Sequence, residues 1–272
     1  MNNTEKQTPA IVDATLPVDG GLHVRQDGPG DAPALLLIHG TASSAISWDA
    51  MVPLLADDHR VIRVDLLGCG RSAKPEGAAY DIASQARRVG EALDLLGVTR
   101  VVVAGHSSGG VAATALAAGR PDLVAGAVLI NTGPGMGAFT AQHTAGVPAQ
   151  WPPTEEQIRA FVATGFADPD FAIPREFIED LRDTPLSVYA AISDATRAYL
   201  EEEALPSRLA KAGKPLLVIF GEEDARWRPS SAADYLAVSN ARVHMLSGVG
   251  HTPILEDPPR TAEHLLAFAE SL

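Results

Sequence analysis

Short apolar, often β-branched runs alternate with longer helical patterns along most of this chain, and that alternation most narrows the folds open to it. Ala34-Leu35-Leu36-Leu37-Ile38 and Val101-Val102-Val103-Ala104 have no polar face, so each predicts a strand covered on both sides. Strands of that kind belong to a parallel sheet with helices on both faces, which makes the class α/β. Arg60–Val64, Ala127–Ile130, Pro215–Phe220 and Arg242–Leu246 read the same way. Ala10–Leu16 and Leu22–Gln26, joined through Asp19-Gly20-Gly21, read as an antiparallel edge. Between the strands, Ile82, Ala86, Val89, Leu93 and Leu96 recur at helical spacing, with Asp81 as N-cap and Gly97 as the stop. Further helices are expected over about Ser108–Gly119, Pro229–Val238 and Pro259–Ser271.

The alternation breaks once. After Asn131, Gly133-Pro134-Gly135-Met136-Gly137 opens a stretch to about Lys211 with helical patterns and no strand. The expected organisation is therefore a core from residues 1–132 and 212–272, interrupted by a helical insertion at 133–211. That insertion holds Phe139, Phe161, Phe166, Phe171 and Phe177 with Trp151, Tyr189 and Tyr199. Such rings either form the insertion's own core or line an apolar pocket over the sheet.

With 272 residues, 46% of them hydrophobic, the chain can bury a substantial core. Its 34 acidic against 21 basic residues give a net charge of −13, which argues against a nucleic-acid partner. Cys69 is the single cysteine and cannot form an internal disulfide, and no Cys/His cluster has metal-ligand spacing. Met1–Thr8 is polar and lacks a signal-peptide pattern, and no apolar run approaches a membrane span. A cytoplasmic monomer or homodimer with no membrane partner is expected.

The chemistry centres on Gly105-His106-Ser107-Ser108-Gly109, a G-x-S-x-G pattern set between a strand and a small-residue helix. Small neighbours let the backbone turn sharply there, which pushes Ser107 out while the helix N-terminus aims its N–H groups at the same space. A serine hydroxyl needs a base, best a histidine oriented by a carboxylate. His251, in Gly248-Val249-Gly250-His251, follows one later strand, and Asp224, in Gly221-Glu222-Glu223-Asp224, follows another. Glu222 and Glu223 are adjacent alternatives to Asp224. Strand ends at one edge of a parallel sheet are where open α/β folds assemble sites.

These residues identify the chain as resembling the α/β-hydrolase superfamily, whose members carry Ser, Asp or Glu, and His in this order. The resemblance includes His39-Gly40, Trp48, Asp65-Leu66-Leu67-Gly68-Cys69-Gly70-Arg71-Ser72, and Gly250-His251 followed by Glu256-Asp257-Pro258. It implies a mostly parallel eight-stranded sheet with an inserted helical cap, and a catalytic triad of Ser107, Asp224 and His251. The backbone N–H groups of Thr41 and Ser108 would form the oxyanion hole. An acid after the sixth strand, used by some relatives, would fall near Asn131, which cannot carry that charge.

The implied activity is hydrolysis of a carboxylic ester or related acyl bond of a small to medium apolar substrate, with no metal and no organic cofactor. Serine at the elbow argues against relatives that attack epoxides or carbon–halogen bonds with an aspartate. Residues Pro153–Ile158, Asp168-Pro169 and Phe177-Ile178-Glu179 resemble the cap of hydrolases that cleave carbon–carbon bonds in ring-fission dienones. Arg182 stands near their cap arginine, but His106 and Thr252 replace their usual asparagine and tryptophan. A hydrolase-derived ligand receptor is the third reading. Candidates for the pocket wall are His39, His106, Phe139, Trp151, Arg182 and Thr252, while His23, His59, His143, His244 and His264 read as surface or packing residues.

Overall fold

A computed structural model of the protein describes residues 12–140 and 150–272. Ala10, Ile11 and His143 lie outside the described residues. Eight strands, β1 (Val12–Leu16), β2 (Leu22–Asp27), β3 (Ala34–Ile38), β4 (Arg60–Asp65), β5 (Val101–His106), β6 (Val124–Ile130), β7 (Leu216–Gly221) and β8 (Arg242–Leu246), form one sheet in the order β1-β2-β4-β3-β5-β6-β7-β8. β2 runs antiparallel to both β1 and β4, and all other neighbours are parallel. The chain leaves β3 toward β4 on one side and returns to β5 on the other. That reversal opens a crevice at the carboxyl ends of β3 and β5, where open α/β sheets bind ligands.

The helices are α1 (Val52–Leu55), α2 (Ile82–Leu95), α3 (Ser108–Gly119), α4 (Glu155–Ala163), α5 (Arg175–Arg182), α6 (Leu186–Glu202), α7 (Leu205–Ala212), α8 (Pro253–Glu256) and α9 (Pro258–Ala269). Because side chains alternate along a strand, Leu36, Ile38 and Val103 join a core with α2 and α3. Leu35, Leu37 and Val102 join another with α9. Asp81 caps α2 by accepting the Ser84 N–H at 2.9 Å. Two glycines set how closely α3 lies on the sheet. A Cβ on Gly105 would fall 2.3 Å from the Gly109 backbone, and one on Gly109 would fall 2.3 Å from the Ile38 carbonyl.

Between β6 and β7 the chain forms α4 to α7. Thr154 and Gln157 close a capping box at the start of α4. Val188 and Ile192 of α6 seat the insertion on Leu67, Cys69 and Tyr80, while Ile158, Ile178 and Leu181 form a small core of its own. Leu205 and Leu209 of α7 pack into the main core.

Two elements differ from expectation. β6 begins at Val124, three residues early, because Gly126 interrupts the apolar run without interrupting the strand. Pro229–Ala237 winds as 3-10 turns rather than an α-helix. There the Ser231 N–H and hydroxyl both donate to the Arg228 carbonyl, at 2.9 and 2.6 Å, which favours the tighter turn.

Candidate active site

Ser107 sits between β5 and α3 with φ of 54° and ψ of −122°, outside the favourable region for a residue with a side chain. The turn is held by its neighbours: the Ser107 N–H donates to the Ile130 carbonyl at 2.9 Å, and the Thr132 hydroxyl donates to the Ser107 carbonyl at 2.8 Å. The strained turn delivers the hydroxyl to the crevice. His251 Nε2 lies 3.0 Å from Ser107 Oγ, and His251 Nδ1 lies 2.9 Å from Asp224 Oδ2. The structure thus brings three side chains from the ends of β5, β7 and β8 into one line, whereas Glu222 and Glu223 point outward and are exposed.

Asp224 is buried with every acceptor position engaged. Oδ1 accepts the backbone N–H groups of Arg226 at 2.7 Å and Trp227 at 3.1 Å; Oδ2 accepts Asn131 Nδ2 at 2.7 Å and faces His251. Burial alone would raise its pKa. His251 and the hydrogen bonds from His251, Asn131 and Arg226 outweigh that, so the carboxyl lies below its ordinary value of 3.8. Asn131 does more than the sequence suggested. Its amide donates to Asp224 and to the Gly250 carbonyl (3.0 Å) and accepts from the Gly221 N–H (3.1 Å), tying the ends of β6, β7 and β8 together.

Glu256 fixes the histidine loop in a similar way. Its carboxylate accepts the N–H groups of Gly250 and Thr252, which flank His251, and that of Ala167 in the insertion, at 2.8–2.9 Å. His106 Nε2–H donates to the His251 carbonyl at 2.8 Å. Burial, and then the neighbouring His251, push the His106 pKa down to about 3, so this imidazole is neutral.

Ser108 opens α3, so its N–H has no acceptor within the helix. Thr41 follows β3, and its hydroxyl donates to Ser108 Oγ at 2.9 Å, which brackets the two residues beside Ser107. Gly40 permits this approach, since a Cβ there would fall 3.2 Å from Ser107 Cβ. Thr41 and Ser108 both line the cavity beside Ser107.

A cavity of about 420 Å³ opens over Ser107, roofed by the insertion and lined chiefly by Phe139, Phe161, Phe166, Phe177, Leu200 and Trp227. His106, Thr252 and Phe139, candidates from sequence, are in its wall. Three others are not. His39 is buried beneath the turn, donating from Nδ1 to the Gly40 carbonyl (2.7 Å) and accepting the Leu66 N–H at Nε2 (3.0 Å), so it shapes the loop. Trp151 packs against Tyr189 inside the insertion, with its Nε1–H on the Thr184 carbonyl at 2.9 Å. Arg182 is exposed, because Phe177 and Leu181 already occupy the cavity face of α5. The arginines in the wall are instead Arg197 of α6 and Arg226, two residues after Asp224.

Of the two roles expected for His23, surface or packing, it has the second: it is buried, with Nδ1 3.0 Å from Asp65 and Nε2 2.6 Å from Asp13. The Cys69 thiol is pushed up to about 12, by burial and then by Asp65 and Asp180, and is inert as a nucleophile. Among the described residues no cluster of side chains could hold a metal ion, and no helix is long and apolar enough to cross a membrane.

A sequence profile described as the alpha/beta hydrolase family matches residues 35–264, and the chain belongs to that family. Among its relatives, haloalkane dehalogenase 2 of Mycobacterium tuberculosis is 28% identical over 248 residues, covering 81% of this chain and 80% of that protein. Among solved structures, an esterase from Rhodococcus sp. ECU1013 superposes with a TM-score of 0.81 at 27% identity, covering 97% of this chain and all (100%) of the other. A hydrolase from Pseudomonas aeruginosa gives 0.79 at 29% identity, with 95% and 98% covered.

Proposed function

We propose that this hydrolase cleaves a carboxylic ester or a related acyl bond, such as a lactone or thioester, of a small to medium substrate through an acyl-enzyme on Ser107. The observation that carries the reading is the Ser107–His251–Asp224 line, with separations of 3.0 and 2.9 Å, opening into an apolar cavity.

His251, with its proton on Nδ1 facing Asp224, accepts the Ser107 proton at Nε2 as Oγ bonds to the carbonyl carbon. The ionised Asp224 stabilises the imidazolium that forms. Charge on the carbonyl oxygen is met by the N–H groups of Thr41 and Ser108, each such donor contributing on the order of 3 kcal/mol to transition-state stabilisation. His251 then returns the proton to the leaving oxygen or sulfur, and afterwards takes one from the water that hydrolyses the acyl-enzyme. His106 stays neutral and holds the His251 backbone, which keeps a second positive charge away from the imidazolium. The helical insertion acts as a cap whose rings exclude water and receive the apolar part of the substrate.

The serine at the elbow also favours ester over carbon–halogen hydrolysis, since displacement of halide needs an ionised nucleophile whose ester water can open. The test is pre-steady-state release of 4-nitrophenol from a short-to-medium acyl ester series, run beside Ser107→Ala. A serine-dependent burst followed by sustained turnover is expected. A burst that stalls would favour a ligand receptor, and no release from any ester would favour a carbon–carbon bond hydrolase.

A further inference from the structure

Arg226 is out of keeping with the apolar cavity it lines. Its backbone N–H is committed to Asp224 Oδ1, which aims the side chain from the end of β7 into the space beneath α4. There the guanidinium lies 4.9 Å from the centre of the Phe161 ring, and Nη2 donates to the Phe161 carbonyl at 3.1 Å and the Thr164 hydroxyl at 3.4 Å. The other two nitrogens make no hydrogen bond with the described residues. Nε is shut off from solvent and has no hydrogen-bond partner among the described residues.

The fully buried arginines are treated differently. Arg63 pairs with Asp27 at 2.6 Å and with Asp49, and Arg88 pairs with Asp19 at 3.1 Å. Arg226 forms no ion pair among the described residues. Asp224 is near but has its oxygens filled by Asn131, His251 and two backbone N–H groups. Arg197, also at the cavity, is exposed and already faces Glu201 at 3.7 Å. A partly desolvated cation whose nearest carboxylate is already fully bonded carries a cost, and a guanidinium cannot shed it by losing its proton.

Capping the carbonyl end of α4 uses Nη2, and with Nε covered this leaves Nη1 as the nitrogen open toward the cavity. We propose that Arg226 binds a carboxylate on the substrate, so that the preferred substrates are esters bearing a free acid beyond the scissile acyl group. This deepens the acyl-hydrolase reading and rests on it. The carboxylate would complete the ion pair the protein leaves open by accepting from Nη1, while Phe161 and its neighbours hold the intervening apolar chain.

The experiment compares 4-nitrophenyl hydrogen esters of the diacids from succinic to suberic with their methyl-capped, uncharged counterparts, subtracting spontaneous release. At the favoured chain length, the wild type is expected to prefer the free acid by about tenfold or more in kcat/KM, carried mainly by KM. In Arg226→Gln that ratio falls to about one or below, and Arg226→Lys recovers part of it. A wild-type ratio of one or less at every length overturns the assignment, as does a ratio that persists in Arg226→Gln while thermal stability drops, the result of an arginine that only caps α4. Should Arg226→Gln fail to fold, the wild-type ratio alone decides. If neither the acid nor the capped ester releases nitrophenol, the acyl-hydrolase reading fails first and takes this assignment with it.

Discussion

Around Asp224 and His251 each polar side-chain atom has a named partner, and the loops that carry them are tied to one another through Asn131 and Glu256. Across the cavity the insertion presents Phe161, Phe166, Phe177 and Leu200, which meet the space through shape and apolar surface. Around the cavity the hydrogen bonds that join the two sides include Arg226 to Phe161 and Thr164, Thr252 Oγ1 to the Gly165 carbonyl at 2.9 Å, and Glu256 to the Ala167 N–H at 2.8 Å. The difference assigns separate tasks. Directional bonds fix the geometry that bond-making needs, and apolar contacts, which are non-directional, admit a class of substrates and keep water out.

The largest break should come at the directional side. Ser107→Ala should lower kcat by about 10⁴-fold or more while moving Tm little, because the small side chain leaves the packing of the turn intact. Asp224→Asn should cost on the order of 10⁴-fold, since an amide at Oδ2 no longer stabilises the imidazolium. Asn131→Leu should cost about 10- to 100-fold in kcat with KM nearly unchanged, the split expected of a positioning residue rather than a binding one. Equal losses in KM would remove Asn131 from that role.

On the insertion side the pattern should invert. Phe177→Ala should move the preferred acyl length upward and alter kcat/KM by about tenfold among substrates, with kcat on the best of them nearly retained. The smallest effect concerns Asp180 of α5, whose pKa is raised from 3.8 to about 6, by burial first, with the Ser44 hydrogen bond opposing. A carboxyl that binds its proton more tightly when folded stabilises the fold at low pH and loses that contribution as pH rises from 3.8 toward about 6. Asp180→Asn should therefore gain stability over the wild type as pH rises through that window, by a few degrees in Tm measured calorimetrically at about pH 4 and pH 7. A constant difference across pH would contradict the assignment.

How far these two regions could be read from the sequence follows from the same physics. The sheet was legible because β3, β5, β6 and β7 are covered on both faces and so leave unbroken apolar runs, and because a sharp strand-to-helix turn demands glycine on either side of Ser107. The loops of Asp224 and His251 could be placed because each follows a strand, whereas choosing Asp224 over Glu222 and Glu223 rests on the family resemblance. Asn131 carries no charge to mark it in the sequence, and its amide matters as a donor and acceptor at once. In the insertion, composition told of many rings but not where they point: Phe139 lines the cavity while Trp151 turns into the insertion's own core. Arg182 and Arg226 show the same limit, since only three-dimensional structure tells which arginine shares the space above Ser107. His39 conserves no such ambiguity once its two ring nitrogens are seen bonded to the Gly40 and Leu66 backbone.

The central claim is that Ser107 becomes acylated. The most direct measurement is a rapid acid quench of the enzyme during turnover of a 4-nitrophenyl ester, followed by mass spectrometry of its peptides. An acyl adduct on the peptide containing Ser107, formed within the burst, cleared with the steady-state rate and absent from Ser107→Ala, is the predicted result. Turnover without an adduct at any quench time, or an adduct on another residue that persists in Ser107→Ala, would contradict it.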